Sequence, residues 1–189
     1  MFKNMNDIKI FNKYTLKILR LLSLRYYKEF YQREISKLTG VSVGMTSIIL
    51  SKLYQYEIVK RRKSGKNCFY SFNLNSPIAR YIKILLNIFE IYPLIRAVRN
   101  LCKKIILFGS CASGEDTDES DIDLLIIQSH ENKKTRIKQI IQKFKPISKR
   151  KVSAVVLSEK EFIEMRVKEK VFYENVRKGI VVWNEREAK

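Results

Sequence analysis

Between Tyr14 and Arg25 the apolar residues Leu16, Ile18, Leu19, Leu22 and Leu24 recur near helical spacing, which predicts an amphipathic first helix. Ile35 and Leu38 then mark a short helix stopped by Gly40, and Ser42 is placed to cap another. That helix packs through some of Met45, Ile49, Leu50 and Leu53 and ends near Tyr56. Residues 58–63 and 67–72 alternate as two strands around Ser64-Gly65, a hairpin turn. Ser76 can cap and Pro77 suits the first turn of a further helix, with Ile78, Tyr81, Ile82, Leu85, Leu86 and Phe89 as its apolar face. Pro93 interrupts this helix, and residues 94–101 continue it as a helical connector; the stripe reads as core, with a homodimer contact as the other use for it.

Farther on, the pattern changes to strand-length runs. Ile105 to Phe108 and Ile122 to Ile127 are rich in β-branched residues and are separated by an acidic loop. Residues 131–144 form a lysine-rich helix ended by Pro146, and residues 151–157 a third strand. Residues 159–168 form a helix with Phe162, Ile163 and Met165 as core, residues 171–177 another before Gly179, and residues 180–183 a closing strand. The elements describe an α+β chain: helices and a hairpin first, then a small α/β sheet with helices against one face.

Charge divides the same way. Residues 1–100 carry 19 Lys and Arg against 5 Asp and Glu, whereas residues 101–189 carry 19 against 14. A polyanion-binding role therefore belongs to the first half. Three cysteines without CxxC spacing, and His130 alone, argue against zinc and against a disulfide framework. Cys111 reads as a small buried residue and His130 as a surface one. No apolar run reaches membrane-spanning length and residues 1–12 lack a signal-peptide core, so the expected location is the cytoplasm, with no membrane partner.

The chemistry is concentrated in GSCASGEDTDESDIDLLI, residues 109–126. Gly109 lets the backbone approach a ligand, and Ser110 adds a hydroxyl and an N–H where a helix can start, a pairing that suits phosphate. Asp121 and Asp123 are two apart on a strand, so their carboxylates project from one face while Ile122 enters the core. Two close carboxylates need a cation, and Mg²⁺ accepts such a pair with water and phosphate oxygens completing its shell. Glu115, Asp116, Asp118 and Glu119 read as solvated turn residues.

Phe108-Gly109-Ser110, ten residues, then Asp121-Ile122-Asp123-Leu124 resembles the signature of the DNA polymerase beta nucleotidyltransferase superfamily, in particular its minimal nucleotidyltransferases, with Ala112, Gly114 and Ser120 also matching. The resemblance implies that Gly109 and Ser110 hold a nucleotide's phosphates and that Asp121 and Asp123 are catalytic and bind metal. The implied reaction is attack of a hydroxyl on the α-phosphate of a nucleoside triphosphate, here ATP. Members of that superfamily commonly carry a third acid on the strand matching residues 151–157, which here contains none. Glu159 and Glu161 lie just beyond it and read as first-turn acids favouring a helix dipole.

GVSVGMTSIILSKLYQYEIVKR, residues 40–61, resembles the recognition-helix pattern of winged helix-turn-helix domains. The resemblance implies double-stranded DNA as partner, with Ser42, Val43, Gly44, Ser47 and Ser51 facing the groove and Arg61, Arg62, Lys63 and Lys66 on the wing. The exposed helix positions include no Arg, Asn or Gln to read base edges, so binding is better supported than sequence specificity. The expected organisation is a DNA-binding domain over residues 1–75, a connector over 76–101 and a minimal nucleotidyltransferase domain over 102–189. Three functions follow. The first transfers AMP to a protein or nucleic-acid hydroxyl, the second is a silent transcriptional regulator using the transferase fold as sensor or scaffold, and the third is an antitoxin-like module for a toxin-type partner.

Overall fold

The computed structural model describes residues 11–65 and 67–187 and divides into two compact units, the first ending at Lys83 and the second beginning at Ile84. In the first unit, α1 (Lys13–Leu24) starts where the Asn12 side chain accepts from the Tyr14 and Thr15 N–H groups. The helix α2 (Gln32–Thr39) ends as Gly40 turns left-handed at φ 67°, a conformation glycine adopts without penalty. Ser42 then caps α3 (Val43–Gln55) by accepting from Met45 N–H. Ile18, Leu19, Leu22, Ile35, Leu50 and Leu53 make a fully buried core among these three helices. Of the four candidates for the packed face of α3, Ile49, Leu50 and Leu53 are buried and Met45 is exposed, as is Leu38 on α2.

The hairpin consists of β2 (Val59–Ser64) and β3 (Asn67–Phe72), paired antiparallel. A short strand β1 (Phe30–Tyr31) adds to the free edge of β3 in the order β1-β3-β2. Two residues are too short for the alternation pattern to reveal, and β1 was not foreseen.

The chain passes into the second unit along α4 (Pro77–Val98), which contains Pro93 without breaking there. Proline removes one helical donor and crowds the preceding turn, but the flanking Ile91, Leu94, Ile95 and Val98 are buried in the core and hold the helix together. The expected interruption is therefore corrected. The apolar face is corrected too, because Ile78, Tyr81, Leu85 and Phe89 are exposed while Ala79, Ile82, Ile91 and Leu94 are inside.

A four-stranded sheet in the order β6-β5-β4-β7 forms the centre of the second unit. Its strands are β4 (Cys102–Phe108), β5 (Ile122–Gln128), β6 (Val152–Leu157) and β7 (Ile180–Asn184). Strand β4 is antiparallel to β5 and β7, whereas β5 and β6 run parallel. The parallel pair needs a crossover, supplied by α6 (Lys134–Lys143). One face, with Ile105, Leu107, Ile122, Leu124 and Ile126, packs on α4 and on Ile137 of α6. The other, with Ile106, Phe108, Leu125 and Ile127, is covered by Phe162 of α7 (Glu159–Lys168) and by Phe172 and Val176 of α8 (Lys170–Arg177). Helices thus cover both faces, not one as expected. Among the described residues, no helix is long and apolar enough to cross a membrane.

Candidate nucleotide site and nucleic-acid surface

Strand β4 ends at Phe108, and Gly109 follows with φ 66° and ψ −153°, a backbone state open essentially to glycine alone. It leads into the one-turn helix α5 (Ser110–Ser113), which Gly114 stops in the left-handed region. The turn that returns the chain to β5 is held by Ser120, whose Oγ accepts from Thr117 N–H at 2.9 Å. Asp121 sits immediately before β5 and Asp123 within it, while Ile122 between them is fully buried.

Glycine at 109 is required by Asp123. A Cβ added there would meet Asp123 Oδ2 at 2.8 Å, so the carboxylate lies directly against the bare Cα. The structure therefore brings Gly109, Ser110, Asp121 and Asp123 to one corner of the sheet. Burial and, secondarily, the neighbouring Asp121 charge push the Asp123 carboxyl above its ordinary value. Partial burial and a like charge nearby both disfavour the ionised carboxylate.

Asp123→Asn is accordingly expected to raise the melting temperature in metal-free buffer at pH 7. The wild-type penalty develops as pH rises through the unfolded carboxylate value of about 3.9 and is complete above the raised folded value. The difference between the two proteins should thus shrink as the pH is lowered toward 4. A melting temperature that stays equal or falls at pH 7 would show that the pair is not strained.

Ser153 of β6 and Lys151 at its approach border the pair. Ser153 is the register partner of Asp123 and half-buried, and Lys151, just before the strand, places Nζ 3.9 Å from Asp121 Oδ2. The carboxylates expected not to substitute for a third acid are occupied elsewhere. Glu159 is bonded to Lys103 at 2.6 Å, and Glu161 completes a capping box with Ser158 and meets Lys134. The Lys103 hydrogen bond holds the Glu159 carboxyl below its ordinary value, and the hydrogen bond from Ser158 N–H does so for Glu161. Among the described residues, no group of three or more His, Cys, Asp or Glu is placed to hold a metal. The donor set fits a hard cation that takes two carboxylates and completes its shell from water and phosphate.

Beneath this corner lies a polar cluster. Asp116, expected to be a solvated turn residue, is completely buried, and its Oδ2 accepts from Arg150 Nη1 at 2.7 Å. Arg150 Nη2 donates to Glu90 Oε2 at 3.1 Å and Asn87 Oδ1 at 3.2 Å, both on α4. Asn87 in turn donates to Asp116 Oδ1 and to the Cys111 carbonyl. Cys111 is fully buried as expected, and its thiol donates to the Asp121 carbonyl at 3.4 Å. One network thus joins α4, the loop after α5 and the approach to β6. Burial of a charge depends on partners distant in sequence, so no local pattern announced it.

Residues 94–177 match the family model described as nucleotidyltransferase domain. The matched stretch begins within α4 and ends with α8, and it includes β4, β5, β6 and all four residues of the corner. No curated protein matches the chain. Two solved structures are similar to part of it, HlyU from Vibrio cholerae N16961 and the reduced form of that protein. Identities are 24% and 23% over 51% and 50% of this chain, covering 97% and 92% of theirs, each with a TM-score of 0.33.

In the first unit, Ser42, Val43, Gly44, Ser47 and Ser51 are all exposed along α3, as are Arg61, Arg62 and Lys63 on β2. Lys66 lies outside the described residues. Arg62 is engaged within the fold, as its guanidinium forks onto Glu29 and lies 4.5 Å from the Phe69 ring centroid. Arg61 lies over the Tyr54 ring at 5.4 Å. Arg61 and Lys63, two apart on the strand, share one face of the hairpin.

Proposed function

We propose that the chain is a DNA-binding protein whose nucleotidyltransferase domain holds a magnesium nucleoside triphosphate at Gly109, Ser110, Asp121 and Asp123. The observation that carries the reading is the Asp123 carboxylate seated against a left-handed Gly109, beside Asp121. This corner offers close backbone approach, a hydroxyl and two acids together, the chemistry of a cation-bound phosphate. When bound, the cation would neutralise phosphate charge, and the chain's own residues would fix its place.

In the first unit, the capped helix α3 and the basic hairpin support a winged helix-turn-helix reading, with Arg61 and Lys63 as phosphate contacts. Arg62 contributes less, because it must leave Glu29 to reach a backbone. The domain bounds proposed are 1–75 for DNA binding, 76–101 for the connector and 102–189 for the nucleotide. Between AMP transfer and silent sensing, Ser153 in the position neighbouring Asp123 favours the sensor.

Calorimetry with ATP and Mg²⁺, beside anisotropy with a labelled 20-base-pair duplex, tests both halves. Asp121→Asn with Asp123→Asn is expected to weaken nucleotide binding at least about 30-fold and to leave duplex affinity in nucleotide-free buffer within about twofold. Arg61→Ala with Lys63→Ala should do the reverse and lower the salt slope by about two. Unchanged ATP affinity in the first variant, or duplex binding indifferent to salt, would refute the corresponding half.

A further inference from the structure

Ser153 and Lys151 determine how much positive charge the acidic pair can hold. In the parallel register Ser153 lies beside Asp123, and register partners in a sheet project from the same face. A third carboxylate would stand there to share a second cation, and a hydroxyl supplies no negative charge in its place. Lys151, two residues earlier and exposed, brings its ammonium within 3.9 Å of Asp121. The two Asp side chains carry two negative charges. One divalent cation balances them, and Lys151 then leaves one positive charge in excess.

The excess charge suits a polyphosphate, and with Ser153 beside Asp123 the corner has, among the described residues, no third carboxylate to help hold a second dication. In-line phosphoryl transfer by two metals requires both ions, one for the attacking oxygen and one for the leaving oxygen. It also needs a base for the incoming hydroxyl, and the acids that follow β6, Glu159 and Glu161, are bound to Lys103 and Lys134. Building on the nucleotide-binding reading, we infer that this corner takes a single divalent cation, with Lys151 as the resident second positive charge that answers the nucleotide's phosphates. The consequence is a site that retains its nucleotide without transferring it.

Electron paramagnetic resonance of Mn²⁺ with the full-length protein, saturated with α,β-methylene ATP, counts the cations directly. One Mn²⁺ per chain is expected in the wild type and two in Ser153→Asp. Lys151→Ala should keep one Mn²⁺ and weaken the analogue about tenfold, the loss of a charge-assisted phosphate contact. Two Mn²⁺ in the wild type, or an unchanged affinity in Lys151→Ala, would overturn the inference while leaving the nucleotide site standing. If neither Mn²⁺ nor the analogue binds, the nucleotide reading itself falls and takes this inference with it. Should Ser153→Asp fail to fold, the wild-type count and Lys151→Ala decide the matter alone.

Discussion

Arg150→Met is expected to lower the unfolding free energy by about 3–5 kcal/mol, read as a fall in the urea midpoint. Arg150 is buried, and its guanidinium serves Asp116, Glu90, Asn87 and Ser148 together. Removing it takes from two buried carboxylates, Asp116 and Glu90, the guanidinium they share. The cost lies mostly in burying those acids with less compensating charge and not in the lost bonds. Neutralising them in the same background, with Glu90→Gln and Asp116→Asn, should therefore recover part of the loss. A single-variant effect below about 1 kcal/mol would mean that water or rearrangement satisfies both acids without arginine.

Gly109→Ala is expected to reduce affinity for ATP and Mg²⁺ at least about 30-fold while costing about 1–3 kcal/mol of stability. The added methyl meets Asp123 Oδ2 at 2.8 Å and forces that carboxylate from its place. The alanine must also hold a φ of 66° with a ψ of −153°, where side chains are strained whatever the space around them. Gly40→Asn is the control. Gly40 is also left-handed, at φ 67° and ψ 23°, but a Cβ there has nothing within 4 Å, and asparagine tolerates that region. Loss of binding in both variants, or in neither, would separate the effect from the Gly109–Asp123 contact.

Much of this was legible in the sequence, for identifiable reasons. Ser42 and Gly40 act through neighbours a few residues away, so their capping roles followed from spacing alone. Asp121, Ile122 and Asp123 divide between solvent and core by strand alternation, and the structure keeps that division. Where long-range packing decides, local pattern misled. Asp116 looks like its solvated neighbours until Arg150, far along the chain, pairs with it. On α4, apolar residues lie on both sides of the helix, and only the sheet selects Ile91 and Leu94 over Phe89 and Tyr92. Pro93 reads as a stop locally but is overruled by the buried residues on either side.

The placing of β7 bears on how the sheet is made. Strand β4 lies between β5 and β7, so it pairs with residues made much later, Lys104 with Asn184 and Ile105 with Trp183. Until the ribosome has released residues 180–184, the backbone donors and acceptors on that side of Ile105 to Leu107 have no partner, and an open, apolar strand edge invites pairing with another chain. The acidic corner belongs to strands made earlier, yet the β4 edge stays open until β7 is made.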